Sequence, residues 1–191
     1  ENNLSFDVAL KQAQELGFAE ADPTFDIEGI DAAHKITILA SIAFGIPINF
    51  KATHIEGISN LDQKDIIYAE ELGYKIKLLG ITKFNNDSVE LRVHPTLIPE
   101  KRLVANVDGP MNAVLVQGDM VGPTLYYGAG AGAEPTASAV VADIIDLARN
   151  LELTGTNQIP ILGFIKDEIQ TKKILSIEDI TSEFYLRLSM K

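Results

Sequence analysis

The sequence predicts an α+β fold, a largely antiparallel or mixed sheet covered on one face by helices. Two observations carry that prediction. Apolar residues recur at helical spacing up to about residue 72, and period-two alternation takes over after it. Asn85, Asn86, Asp87 and Ser88 then stand between two alternating runs, which is hairpin chemistry. Helices gathered ahead of a run of strands favour α+β over an alternating α/β order.

The elements follow in order. Ser5 is a suitable N-cap and Asp7 suits the positive end of a helix dipole. Phe6, Ala9, Leu10, Ala13 and Leu16 then recur at helical spacing, and Gly17 supplies the stop. After an acidic loop, Ile30, Ala33, Ile36, Thr37 and Ala40 mark the core stripe of a second helix ended by Gly45 and Pro47. Residues 52–59 read as a short strand and loop, and 62–72 as a third helix closed by Gly73. Strands are predicted at 75–84, 89–93, 103–107, 113–117 and 124–127, with turns at Asp108-Gly109-Pro110 and Val121-Gly122-Pro123. A helix is expected over 135–147 and a polar linker over 150–158. Residues 183–189 alternate like a strand with no partner after them; with the missing initiator Met, this makes the chain read as a piece of a longer protein.

Composition narrows the function. With 191 residues and 46% apolar content the chain can bury a core, most simply as one domain or one domain with an appendage. Sixteen Lys and Arg against 27 Asp and Glu leave a net charge of -11, so nucleic acid and anionic membrane are poor partners. No cysteine is present, which excludes disulfides and thiolate sites and fits a reducing compartment. No apolar run approaches the ~20 residues needed to span a bilayer, and the opening residues are not a signal peptide.

The densest chemistry lies between residues 20 and 35. Glu20, Asp22, Asp26, Glu28 and Asp31 crowd into one short stretch, and Lys35 follows Asp31 by one helical turn. An ordinary i,i+4 surface pair worth ~0.3–0.5 kcal/mol accounts for Asp31 and Lys35. A lysine beside carboxylates can equally shuttle a proton at a substrate hydroxyl, and Glu20 with Asp26 can cage a small ammonium group. The turn Gly128-Ala-Gly-Ala-Gly-Ala133 resembles a dinucleotide fingerprint only superficially: its third position is Ala133, and no βαβ unit follows. Its free N–H groups could still approach a phosphate or a nicotinamide carboxamide. His34, His54 and His94 have no metal-ligand spacing, and no metal site is expected.

These residues resemble a family. Glu20-Ala-Asp-Pro23 and Asp26-Ile-Glu-Gly-Ile-Asp31-Ala-Ala-His-Lys35, running into an apolar helix, are similar to the signature of homoserine dehydrogenases. Residues 104–114, 118–124 and 128–138 resemble the family too, so the likeness covers residues 1 to about 150. The resemblance implies a cytoplasmic enzyme that interconverts L-homoserine and L-aspartate 4-semialdehyde with NADP or NAD, in threonine, methionine and isoleucine biosynthesis.

By the same resemblance Glu20 and Asp26 hold the substrate amino group. Asp31 orients the reacting hydroxyl or a water, and Lys35 takes part in proton transfer. Gly132, Ala133, Glu134, Pro135 and Thr136 lie near the nicotinamide. Residues 1–150 would then be a substrate-binding, catalytic and dimerisation domain, with 135–150 packing on a cofactor domain. Residues 151–191 would be a linker and the start of a regulatory domain, whose first strand 184–189 resembles. The family's nucleotide-binding domain, an Asn-Gly-Thr-x-Asn-Tyr-Ile-like segment and a second catalytic lysine have no counterpart in these residues. The chain by itself is therefore expected to be inactive, and to form a homodimer or higher homo-oligomer. The alternative left open is a non-catalytic amino-acid-binding or dimerisation module.

Overall fold

A computed structural model describes residues 6–16, 19–85, 87–130, 132–152 and 163–188. It divides into two compact units, Glu1–Ile98 with Pro160–Lys191, and Pro99–Ile159. The predicted caps Ser5 and Gly17 lie outside the described residues.

In the first unit α1 (Phe6–Glu15) forms as its periodicity predicts, but only part of its apolar stripe is covered. Leu10 and Ala13 are half-buried, whereas Phe6 and Leu16 are exposed. The acidic stretch is not a plain loop. Four of its residues wind into one turn, α2 (Thr24–Ile27), before α3 (Ile30–Phe44) begins. The predicted stripe of α3 is right at its centre: Ala33, Thr37 and Ala40 are buried, joined by Ser41. Gly45 ends the helix in the left-handed region at φ 61°, its N–H bonded to the Ser41 carbonyl.

A 3₁₀ turn at Phe50–Ala52 leads to β1 (His54–Ile55), then to α4 (Gln63–Glu71), capped by the Asp62 side chain on the Lys64 N–H. The hairpin strands are β2 (Tyr74–Asn85) and β3 (Ser88–Pro99), both longer than predicted. β2 flanks one edge of β3, so β1 and the later β6 (Lys173–Ile174) share the other, each parallel to it. The sheet is therefore mixed rather than wholly antiparallel.

Ala40 and Ile46 pack with Val89 and Leu91 of β3 as the core, flanked by Ile36, Phe44 and Ile174. On β3 the alternate residues Glu90 and Arg92 are buried as well. Arg92 Nη2 donates to Glu90 Oε2 at 3.0 Å, and Asn85 Nδ2 to Glu90 Oε1 at 3.2 Å.

The tail runs along this unit. Gln170 N–H bonds the Gly45 carbonyl, Leu175 N–H bonds that of Val89, and Lys172 Nζ lies 2.9 Å from Asp87 in the hairpin turn. Residues 184–188 join no strand: Tyr185 and Arg187 bond Asp65 and Asp62 at the start of α4 instead. The predicted linker at 150–158 falls mostly outside the described residues.

The second unit holds a hairpin of β4 (Met111–Gly118) and β5 (Gly122–Ala129), antiparallel from Met111 opposite Ala129 to Gly118 opposite Gly122. The strand predicted at 103–107 is a 3₁₀ turn, Leu103–Asn106. Asn106 Nδ2 donates to the carbonyls of Glu100 (2.8 Å) and Arg102 (3.0 Å), a local bonding pattern that competes with a ladder. α5 (Ala133–Glu152) outruns its prediction at both ends, with Glu134 in its first turn and Arg149 in its last, as the helix dipole favours. Val140, Ile144, Leu147 and Leu151 form an exposed apolar stripe along it.

Candidate functional site

The acidic stretch is shaped by short local bonds. Gln14 Nε2, on α1, donates to the Glu20 carbonyl at 2.9 Å. Asp22 Oδ1 accepts from the Thr24 hydroxyl (2.6 Å) and the Thr24 N–H (3.1 Å), which opens α2. Those two bonds, the hydroxyl's first, hold the Asp22 carboxyl below its ordinary pKa. Asp22 therefore has a structural duty.

α2 leads through Glu28 and Gly29 into α3. Gly29 has φ 75°, and a Cβ there would lie 2.9 Å from Val93 Cγ1. A side chain is excluded both by backbone conformation and by the sheet beneath. From the other side Ile58 N–H bonds the Ile27 carbonyl at 2.9 Å. Gly57 lies so close that a Cβ would come within 2.6 Å of Glu28 Cα. Glu28, half-buried under this crossing, is the helix's C-cap residue.

Asp31, in the first turn of α3, forms an ion pair with Lys35 one turn on. The lysine side chain is 62% exposed and that of Asp31 40%, so the pair is open to a ligand. Among the described residues the carboxylates of Glu20 and Asp26 carry no hydrogen bond or ion pair, and both residues are exposed. Of the four predicted residues, then, the structure pairs two and leaves two with free acceptor oxygens.

A feature that sequence reasoning set aside stands beside them. The His34 ring stacks between Phe25 of α2, at 5.9 Å between centroids, and Phe50 of the 3₁₀ turn, at 4.2 Å. Phe50 is 16 positions away, and no periodicity connects it with His34.

The glycine-rich turn belongs to the second unit. Gly132 has φ 124°, and Thr136 N–H bonds its carbonyl at 3.1 Å where α5 begins. The Ala133 and Glu134 N–H groups belong to the first turn, where helix donors lack intrahelical partners. With Glu134 in that turn and Pro135 offering no N–H, the geometry suits a neutral carboxamide better than a phosphate. Among the described residues no cluster of His, Asp and Glu has metal-binding geometry, and no helix is long and apolar enough to cross a membrane.

The family model described as homoserine dehydrogenase matches residues 1–145. A homoserine dehydrogenase of Neisseria gonorrhoeae is 62% identical over all of this chain, which spans 44% of that protein. The crystal structure of a homoserine dehydrogenase from Thiobacillus denitrificans superposes with a TM-score of 0.88 at 62% identity, covering 94% of this chain and 42% of that one. A hyperthermophilic archaeal homoserine dehydrogenase mutant in complex with NADPH gives 0.61 at 26% identity, covering 79% and 42%. The chain thus spans less than half the length of these relatives, and on the family match and these identities it belongs to the homoserine dehydrogenase family.

Proposed function

We propose that residues 20–35 form the substrate-binding and proton-transfer half of a homoserine dehydrogenase site, acting in the interconversion of L-homoserine and L-aspartate 4-semialdehyde. The open Asp31–Lys35 pair, preceded in the same stretch by the unpartnered carboxylates of Glu20 and Asp26, is the observation that carries this reading. Glu20 and Asp26 hold the substrate ammonium, because two anions attract one small cation better than either alone. Asp31 orients the hydroxyl, directly or through a water, and keeps the Lys35 amine aimed at it. In the oxidising direction Lys35, as the neutral amine, takes the hydroxyl proton as the C4–H bond breaks and becomes the ammonium paired with Asp31; in the reducing direction that ammonium returns the proton to the nascent alkoxide.

The nicotinamide of NADP or NAD, when bound, takes up or supplies the hydride. Within the turn formed by Gly132, Ala133, Glu134, Pro135 and Thr136, the N–H groups of Ala133 and Glu134 fit its carboxamide and bind little of the rest. The NADPH complex of the archaeal relative supports a nicotinamide cofactor. Most of the affinity and the choice between the two cofactors then lie outside these residues.

On the same reading residues 1–150 are the catalytic and self-association region. Residues 151–191 are a linker and the opening of a regulatory module. A two-stranded hairpin is marginal alone, and β4–β5 exposes Val114 and Tyr126 as a facing pair, with Leu115 and Tyr127 exposed beside them. A second copy of the chain would cover it; light scattering after gel filtration should give a dimer or larger, and a strict monomer at high concentration would count against this role. On the same reading the enzyme is cytoplasmic, as the family resemblance implies.

The deciding experiment is Lys35→Ala in the full-length enzyme. Turnover should fall by roughly 10²- to 10⁴-fold, as for loss of a general acid–base group, while KM for homoserine changes little. Near-normal turnover would remove Lys35 from proton transfer.

A further inference from the structure

His34 sits one position before Lys35 on α3, and Phe25 one position before Asp26 on α2. Both pairs are thus offset by about 100° around their helices. The His34 and Phe25 rings lie within 4° of parallel, and those of His34 and Phe50 within 11°. Three rings from three elements form one column, and its two helical members are the direct neighbours of Asp26 and Lys35.

α2 needs such a support. At four residues it is far below the length at which a helix holds itself in water. Its N-cap Pro23 makes no side-chain cap bond. The Ile58–Ile27 bond and the Asp22–Thr24 turn fix its two ends, yet neither sets its roll about its own axis. Phe25 on His34 does. With the Phe25 ring held flat on the imidazole, the bearing of Asp26 follows from helix geometry.

The column is not ordinary core. Phe25 is 56% exposed, His34 is exposed, and His34 makes no hydrogen bond among the described residues. A flat ring with polar edges suits this place, since both faces can stack while the edges stay in water.

We infer that His34 is a positioning residue: sandwiched between Phe25 and Phe50, it sets the roll of α2 on α3 and so holds the ammonium-binding Asp26 in register with Lys35. This rests on the roles proposed above for Asp26 and Lys35. A shift of about 1 Å at a reacting centre costs up to roughly 100-fold in rate, so a support of this kind is visible in kinetics.

The test is a double-mutant cycle in the full-length enzyme with His34→Ala, Asp26→Asn and the pair together, beside His34→Phe. His34→Ala should raise KM for homoserine by roughly 10-fold or more and leave KM for NADP unchanged. His34→Phe, which keeps a stacking ring, should restore most of the loss. In the Asp26→Asn background His34→Ala should cost much less, because the group it positions is gone. Fully additive effects would overturn the inference, as would wild-type KM for His34→Ala. So would His34→Phe failing as badly as His34→Ala while melting like wild type, since imidazole chemistry and not stacking would then be at work. If Asp26→Asn itself keeps wild-type KM, the ammonium site is misassigned and both readings fall together. If His34→Ala does not fold, Phe25→Leu carries the same cycle with the same outcomes, and His34→Phe remains the near-wild-type control.

Discussion

Arg187 reaches back 122 positions to Asp65 and grips its carboxylate twice, with Nε at 2.7 Å and Nη2 at 3.2 Å. Nη2 also reaches Asp62 at 3.1 Å, and the Tyr185 hydroxyl donates to Asp65 at 2.9 Å. The tail is thereby fastened over the capped end of α4.

This clamp is acid-labile in a definite direction. The Arg187 guanidinium holds the Asp65 carboxyl below its usual value of 3.8, against burial, which raises it, and with help from Tyr185. A lowered carboxyl pKa contributes stability that is complete above the unfolded value and fades as pH falls through the folded one. The stability lost in Arg187→Ala, read by chemical denaturation, should therefore be at its full value near neutrality and shrink only below about pH 4. An Arg187→Ala variant as stable as the wild type at pH 7 would show that the tail is held elsewhere.

Gly57→Ala tests the crossing under α2. The added Cβ would meet the Ile27 carbonyl oxygen at 2.5 Å and Glu28 Cα at 2.6 Å, both backbone atoms that cannot swing aside. The expected cost is ~1–3 kcal/mol by chemical denaturation, with a raised KM for homoserine. Gly128→Ala, where nothing lies within 4 Å, is the control and should change stability by about 0.5 kcal/mol or less.

Glu90 and Arg92 form a buried pair with side chains 9% and 6% exposed. Arg92 Nε already has no partner, so its charge depends heavily on Glu90. Glu90→Ala should destabilise by ~3–5 kcal/mol. Adding Arg92→Met should return much of that, because no uncompensated charge remains. Equal losses in the single and double variants would refute the coupling.

The chain alone should show no homoserine-dependent reduction of NADP, since on the proposed reading most of the cofactor affinity lies outside these residues. Calorimetry should still find weak homoserine binding through Glu20 and Asp26, unchanged by NADP. Measurable turnover by the chain would contradict this division of the site.

Much of the site was legible because its signals are local. Asp31 and Lys35 pair as an i,i+4 helical spacing requires, and Ala33, Thr37 and Ala40 face inward as their period demands. The misses came where a distant partner or a competing local bond decided. Residues 103–106 read as a strand until Asn106 turns back onto two carbonyls. Residues 184–188 alternate like a strand, yet Asp65 captures their arginine and tyrosine.

The sequence by itself determined α1, α3, α4 and α5, the hairpin at residues 85–88, the strands on either side of Val121-Gly122-Pro123, the acidic stretch with its lysine and the resemblance they carry. All of these are set by neighbours within a few positions, where helical spacing, turn residues and caps act. Only the tertiary structure decided that β1 and β6 lie parallel along one edge of β3, that four acidic-stretch residues wind into α2, and that His34 lies between two phenylalanines. Strand partners and ring stacks are chosen among residues far apart in the chain, and no local period records that choice.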